Sequence, residues 1–178
     1  MTVLSACAQA AIVLTGRPPT ALFSSSGQFE RELQYLANEA ARAIAAYADW
    51  QALTRLHTIA GDGTTGAFPL PGDYDRFPVA GAVYSTRSTW PLRRVRDLNQ
   101  WLDFGVTGMT GSPGCWIILG GQMQFRPALA SGDSAKFYYI SNRIVSGNKT
   151  AFTDDGDSFL LPERLLTLAL IWRWRSLK

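Results

Sequence analysis

The stretch Pro162-Glu163-Arg164-Leu165-Leu166-Thr167-Leu168-Ala169-Leu170-Ile171-Trp172-Arg173-Trp174-Arg175-Ser176-Leu177-Lys178 sets the terms for the rest of the chain. A proline at the start of a helix gives up an N–H that has no partner there. Glu163 suits the positive helix N-terminus, and Arg173, Arg175 and Lys178 suit the negative C-terminus. The segment is predicted helical. Between Leu165 and Trp172 only Thr167 is polar. A helix that is apolar all round has to be covered all round. The chain's own core can cover one side. The other side, with the Trp172-Arg173-Trp174-Arg175 end, calls for a partner, because Trp and Arg are the residues that most often anchor interfaces. The competing reading makes every apolar residue here intramolecular core and the arginines caps for the helix dipole.

Two further helices are predicted at the other end. Residues 2–14 form an apolar-rich run stopped by Gly16 and then Pro18-Pro19. From Gln28 to Ala48, Phe29, Leu33, Leu36, Ala40, Ile44 and Tyr47 recur at spacings of three and four, which marks one helical face. Arg31, Glu32, Glu39 and Arg42 fall mostly elsewhere and stay in water. Neither helix has another face to bury against, so the terminal helices are expected to pack together.

The middle reads as β. Leu53 to Ala60 alternates like a strand, and Gly61-Asp62-Gly63 is turn chemistry. Phe68-Pro69-Leu70-Pro71 is excluded from a central strand and from a helix interior, because proline lacks a donor. Ala80 to Thr86 is a further strand. Val95 to Asp103, with Leu98, Trp101 and Leu102, is a short helix, and 105–114 is a glycine-rich loop. Cys115 to Leu119 and Gln122 to Arg126 flank Gly120-Gly121, which predicts a tight hairpin. Lys136 to Ser141 is another strand, Gly147-Asn148 a turn, and 153–158 a polar loop. The fold class is therefore α+β. N- and C-terminal helices form a bundle, and a hairpin-rich segment is inserted between them. The divisions are 1–52 for the first helices, 53–160 for the insertion and 161–178 for the closing helix, within one compact domain.

Composition narrows the function. Hydrophobic residues make up 47% and charged residues 17% of the 178 positions, with six Trp, six Tyr and nine Phe. That excludes a disordered chain and agrees with apolar surface covered by partners. Net charge is +3, too small by itself for nucleic-acid binding, and the segment from Glu163 onward carries all of it. Cys7 and Cys115 form neither a disulfide framework nor a zinc pattern, and read as buried small hydrophobes in a reducing compartment. Leu4-Ser5-Ala6-Cys7 looks like a lipoprotein cleavage box, but no basic start precedes it. No segment is apolar enough to span a bilayer.

Catalytic chemistry finds little support. His57, the single histidine, has no acid or nucleophile at a suggestive spacing. Asp154, Asp155 and Asp157 fail the EF-hand pattern, because Gly156 falls between the acids, and read as a solvated turn. The glycines from Gly61 to Gly66 lack the Lys-Ser or Lys-Thr of a phosphate loop. Asn148-Lys149-Thr150 fits a glycosylation triplet that has no meaning outside a secreted protein. No catalytic, cofactor or metal site is expected.

In combination, several motifs resemble the head–tail adaptor (connector) proteins of tailed bacteriophages, above all those like the tail tubular protein A of short-tailed phages. They are Asp49-Trp50 with Leu53; Gly61-Asp62-Gly63-Thr64; Phe68 to Arg76; Trp90-Pro91-Leu92; and Leu161 to Leu166 followed by Ile171-Trp172-Arg173-Trp174. The likeness covers residues 28–178. It implies a structural virion protein with no turnover, assembled as a twelve-membered homo-oligomeric ring beneath the portal protein. Such a ring extends the DNA channel, seals the packaged head and offers a platform for tail, nozzle or tube proteins. It would form in the host cytoplasm and reside at the head–tail junction, with no membrane partner and no sequence-specific hold on the passing DNA. C-terminal and helical parts of such adaptors engage the portal, which suggests Leu168, Trp172, Arg173, Trp174 and Arg175 as contacts with the portal or a neighbouring subunit. The other readings are a tail-tube or baseplate connector, a small hydrolase and a DNA-binding module in which the same arginines face phosphates.

Overall fold

The computed structural model describes residues 2–108 and 113–177. The fold is mixed α+β, with helices at both ends of the chain, and it divides into two compact units. The first comprises Met1–Leu53 and Ser141–Lys178, the second Thr54–Ile140. The segment 141–160, which the sequence reading grouped with the insertion, lies with the helices.

In the first unit, α1 (Val3–Thr15) starts at Thr2, whose side chain accepts from the Ser5 N–H, and stops at Gly16 with φ 74°. Its buried face is Val3, Ala6, Cys7, Ala10 and Ala11. Side chains this small let another helix approach closely, and α1 packs on α4 (Glu163–Leu177). Ser5 Oγ donates to Glu163 Oε1, tying the two helix starts together. The second helix, α2 (Gln28–Tyr47), also packs on α4. Its buried residues are Leu33, Leu36, Ala37, Ala40, Ala41 and Ala45. The face is thus rotated from the one read in the sequence: Leu33, Leu36 and Ala40 hold, whereas Ile44 is half-buried and Tyr47 is 88% exposed. Large residues dominate a periodicity reading, while the packed stripe here is made of alanines. The Trp50 indole N–H donates to the Ile44 carbonyl (2.8 Å), satisfying an orphan acceptor at the end of α2.

The segment 141–160 clamps these helices. Asp155 Oδ1 accepts from the Leu22 and Phe23 N–H groups at 2.9 and 3.0 Å. Asn38 exchanges bonds with the Phe152 backbone, and the Val3 N–H donates to the Asp157 carbonyl (2.7 Å). Asp157 Oδ2 accepts from the Thr153 and Asp154 N–H groups, and Oδ1 from Lys149 Nζ at 2.7 Å. The polar loop is therefore not merely solvated: Asp157 is buried. Burial pushes its carboxyl up, but the Lys149 bond and the two backbone donors outweigh that and hold it below the usual carboxylate range.

The second unit contains two four-stranded sheets. One has β1 (Thr54–Ala60) beside β8 (Ser134–Ser141), with β3 (Tyr74–Arg76) and β4 (Val83–Ser85) also paired to β8. The other runs β2 (Ala67–Pro69), β7 (Gln122–Arg126), β6 (Cys115–Leu119), β5 (Arg93–Arg94). Gly120 and Gly121 have φ of 60° and 74°, which builds the predicted β6–β7 hairpin turn. Ile59, Val83, Trp116, Met123, Phe125, Ala135, Phe137 and Tyr139 draw both sheets into one apolar cluster. Successive residues of β6 point to opposite faces. Trp116 joins that cluster, while Cys115 and Ile117 pack with Val95 and Trp101, the latter on α3 (Leu98–Val106). This explains the uninterrupted apolar run: β6 is covered on both sides. The short helix starts later than the sequence suggested, because Asp97 caps it by accepting from the Asn99 N–H. Only Trp101 of its three marked residues points inward, and Leu98 and Leu102 are exposed. Of the predicted loop 105–114, residues 109–112 lie outside the described residues, and 105–106 belong to α3.

Candidate partner interface

α4 buries Leu166, Thr167 and Leu170 against its own unit. The lone polar residue of the apolar run is satisfied internally, since Thr167 Oγ1 donates to the Glu163 carbonyl (3.3 Å). The opposite side stays open. Leu168 is 51% and Trp172 67% exposed, and Arg175 is exposed beside them. The positions i, i+4 and i+7 put these three on one helical face.

Next to that face lies a groove between α2 and α4 with a volume of about 370 Å³. Ala40, Ala43, Ile44 and Tyr47 form one wall, and Leu165, Ala169, Trp172 and Arg173 the other, with Trp50 also lining it. The groove exists because α2 offers alanine where the helices would otherwise meet through larger side chains. Its lining is almost wholly apolar, with the Arg173 guanidinium as the one formal charge. Trp174 turns the other way. Its ring stands edge-on to Phe29 at 5.1 Å, and with Leu177 it borders a more polar hollow containing Arg31, Glu32 and Tyr35. The five residues singled out in the sequence therefore divide into an exposed face (Leu168, Trp172, Arg175), a groove wall (Trp172, Arg173) and an aromatic contact with α2 (Trp174). Lys178 lies outside the described residues.

The remaining candidates for chemistry lie elsewhere. His57, on β1, packs edge-on to Phe137 (5.5 Å) and Tyr139 (6.4 Å). Burial lowers its pKa, and nearby Asp73 partly opposes that. Asp73 itself accepts from the Tyr139 hydroxyl at 2.7 Å. Asp62 accepts from the Thr65 hydroxyl and from the Thr64 and Thr65 N–H groups, bonds that hold its carboxyl well below the usual range and close the glycine turn. Burial, reinforced by the charge of Asp155, pushes the Cys7 thiol up to about 12, and burial also raises Cys115. Among the described residues no group of three or more His, Cys, Asp or Glu is placed to hold a metal ion, and no helix is long and apolar enough to cross a membrane.

Sequence reasoning missed other outward-facing features. Leu98, Leu102 and Val106 form an exposed stripe on α3. Arg93 and Arg94 on β5 lie over aromatic rings, Arg94 at 5.5 Å from Phe77 and 5.4 Å from Trp116. The i, i+4, i+8 spacing on α3 was readable in the chain, but not which side of the helix the sheet would cover.

Residues 1–178 match the family described as SU10 adaptor protein. The chain belongs to the SU10 adaptor protein family. No curated protein matches it. Membership in the SU10 adaptor family makes the chain a bacteriophage adaptor, a structural virion component, as the motif resemblance implied. The match takes in the first 27 residues, which that resemblance left out.

Proposed function

We propose that this SU10 adaptor joins head to tail as a ring of identical subunits, twelve in number, seated beneath the portal. The ring extends the DNA channel without sequence-specific binding and gives tail, nozzle or tube proteins a platform. It works by assembly, with no catalytic turnover, in the manner of the tail tubular protein A-like adaptors whose motifs it resembles. The face formed by Leu168, Trp172 and Arg175, with Arg173 in the adjoining groove, is the contact with the portal or the neighbouring copy, and Trp174, turned toward Phe29, extends that contact on the other side of α4.

The observation that carries this reading is the large, exposed Trp172 beside an apolar groove on a helix whose inner side is already packed. An exposed tryptophan next to a preformed hollow, flanked by arginines, has the composition of an interface hot spot. Because α4 packs on both α1 and α2, deleting it would unfold its unit, so point changes on its open face give the cleaner test. Trp172→Ala is expected to weaken portal binding by about 2 kcal/mol, close to thirtyfold in Kd, while leaving the circular dichroism spectrum and Tm unchanged. Leu168→Asp is expected to weaken it similarly. Titration of the cognate portal against both variants measures this, and wild-type affinity in both would remove the assignment.

A further inference from the structure

One apolar surface of the second unit has no cover. On α3, Trp101 packs inward with Cys115 and Ile117, and Phe104 packs against the same cluster. Leu98, Leu102 and Val106 are left outside, at 58%, 64% and 80% exposure. Their spacing of four residues lines them up as one ridge, about 12 Å long at the helical rise. A helix that meets water on its outer side normally carries polar residues there. Asp103 stands on the flank of the ridge, because residues three apart, here Asp103 and Val106, are neighbours on a helix surface. It is exposed, and its carboxylate has no ion pair or hydrogen bond among the described residues. The nearby cations lie elsewhere. Arg93 sits over the Phe104 ring and Arg126 over Trp101, toward the packed side of α3. Arg96 and Asp97, just before the helix, carry opposite charges.

The groove between α2 and α4 has the opposite shape and the opposite charge. Its walls run from Ala40 to Tyr47 on α2 and from Leu165 to Arg173 on α4, about 10 to 12 Å at the same rise. A ridge of the length of α3 fills such a trough from end to end. Arg173, its one formal charge, has no acidic partner among the described residues.

We propose that α3 of one copy lies in the α2–α4 groove of the next, with Leu98, Leu102 and Val106 inward and Asp103 against Arg173. The proposal rests on the ring reading above and names the contact between its subunits. Pairing like with like does not serve. Two ridges are both convex and leave the groove empty, while two grooves are both hollow and bring only cations. The unlike pairing joins ridge to hollow and carboxylate to guanidinium, in the manner of an amphipathic helix laid in an apolar groove. A contact between unlike patches is heterologous, and repeating it by a fixed rotation closes a ring.

The test uses the full chain with the cognate portal. Leu102→Cys and Ala43→Cys are made in separate chains, mixed in equal amounts, assembled on the portal and treated with a short bismaleimide. Cys7 and Cys115 are buried, so the wild type is the blank. The mixture should give a cross-linked pair of chains, and each variant alone should not. Adding Asp103→Arg should lower the yield about tenfold, and adding Arg173→Asp as well should restore it. A ring on the portal, seen by electron microscopy, that gives no such pair would overturn this contact and leave the proposed function standing. A chain that forms no ring there would remove both. Cross-linking unmoved by Asp103→Arg would also overturn the proposal.

Discussion

Asp157 is the residue whose surroundings most exceed its sequence context. Among Asp154, Asp155 and Asp157 it alone is buried, and its carboxylate organises the 153–158 loop that holds α1 and α2 in place. Asp157→Ala leaves two backbone N–H groups without their carboxylate acceptor and takes from the Lys149 ammonium one partner, Asp154 and Thr153 remaining, and should cost about 2–3 kcal/mol of stability by chemical denaturation. Its carboxyl is held below the ordinary value, so the stability it contributes is present above an ordinary carboxylate pKa of about 4 and is lost as pH falls through the lowered value. A stability–pH profile should therefore fall in acid for the wild type and fall less for Asp157→Ala. Gly61 is demanding for a different reason. A Cβ there would meet Leu129 Cβ at 2.6 Å and the Leu129 carbonyl oxygen at 2.8 Å, as well as the Ala130 carbonyl. Gly61→Ala should lower stability by about 1–3 kcal/mol, which thermal unfolding would record. Cys7, fully buried and with its thiol pushed up to about 12, should resist alkylation at neutral pH until the protein unfolds.

At the scale of elements, legibility followed whether the signal was local. Gly120-Gly121, Gly16 and Pro162 mark turn and helix boundaries through backbone geometry alone, and the hairpin, the end of α1 and the start of α4 appear where those residues place them. The buried face of α2 was only half legible, because Ala37, Ala41 and Ala45 carry little hydrophobic weight in a pattern but give the closest packing. The strand β1 was legible as an alternation, but its place at an edge depends on pairing with β8 some 80 positions later, which no local pattern contains. The same holds for the interface: the apolar character of α4 was plain, whereas its division into a packed side, an open side and a groove wall required α1 and α2. The bond from the Gly61 N–H to the Asp133 carbonyl (2.8 Å) sets the phase of that ladder, so His57 bonds toward β8 and Thr58 turns away. A sharp contrast follows for β1. His57→Pro removes a donor that bonds to β8 and should destabilise the second unit strongly, while Thr58→Pro should be nearly neutral in Tm.

For the whole molecule, two compact units carry different outward surfaces. The helical unit presents Leu168, Trp172 and the α2–α4 groove, and the β unit presents the exposed Leu98, Leu102 and Val106 of α3. A chain of this size that keeps so much apolar surface in water is suited to assembly, in line with membership in a phage adaptor family. Cryo-electron microscopy of the adaptor reconstituted with its portal tests this most directly. The account predicts a ring of twelve adaptor copies with Leu168 and Trp172 covered by the portal or a neighbouring subunit. A complex in which both side chains remain open to solvent, or an adaptor that forms no ring on the portal, would contradict it.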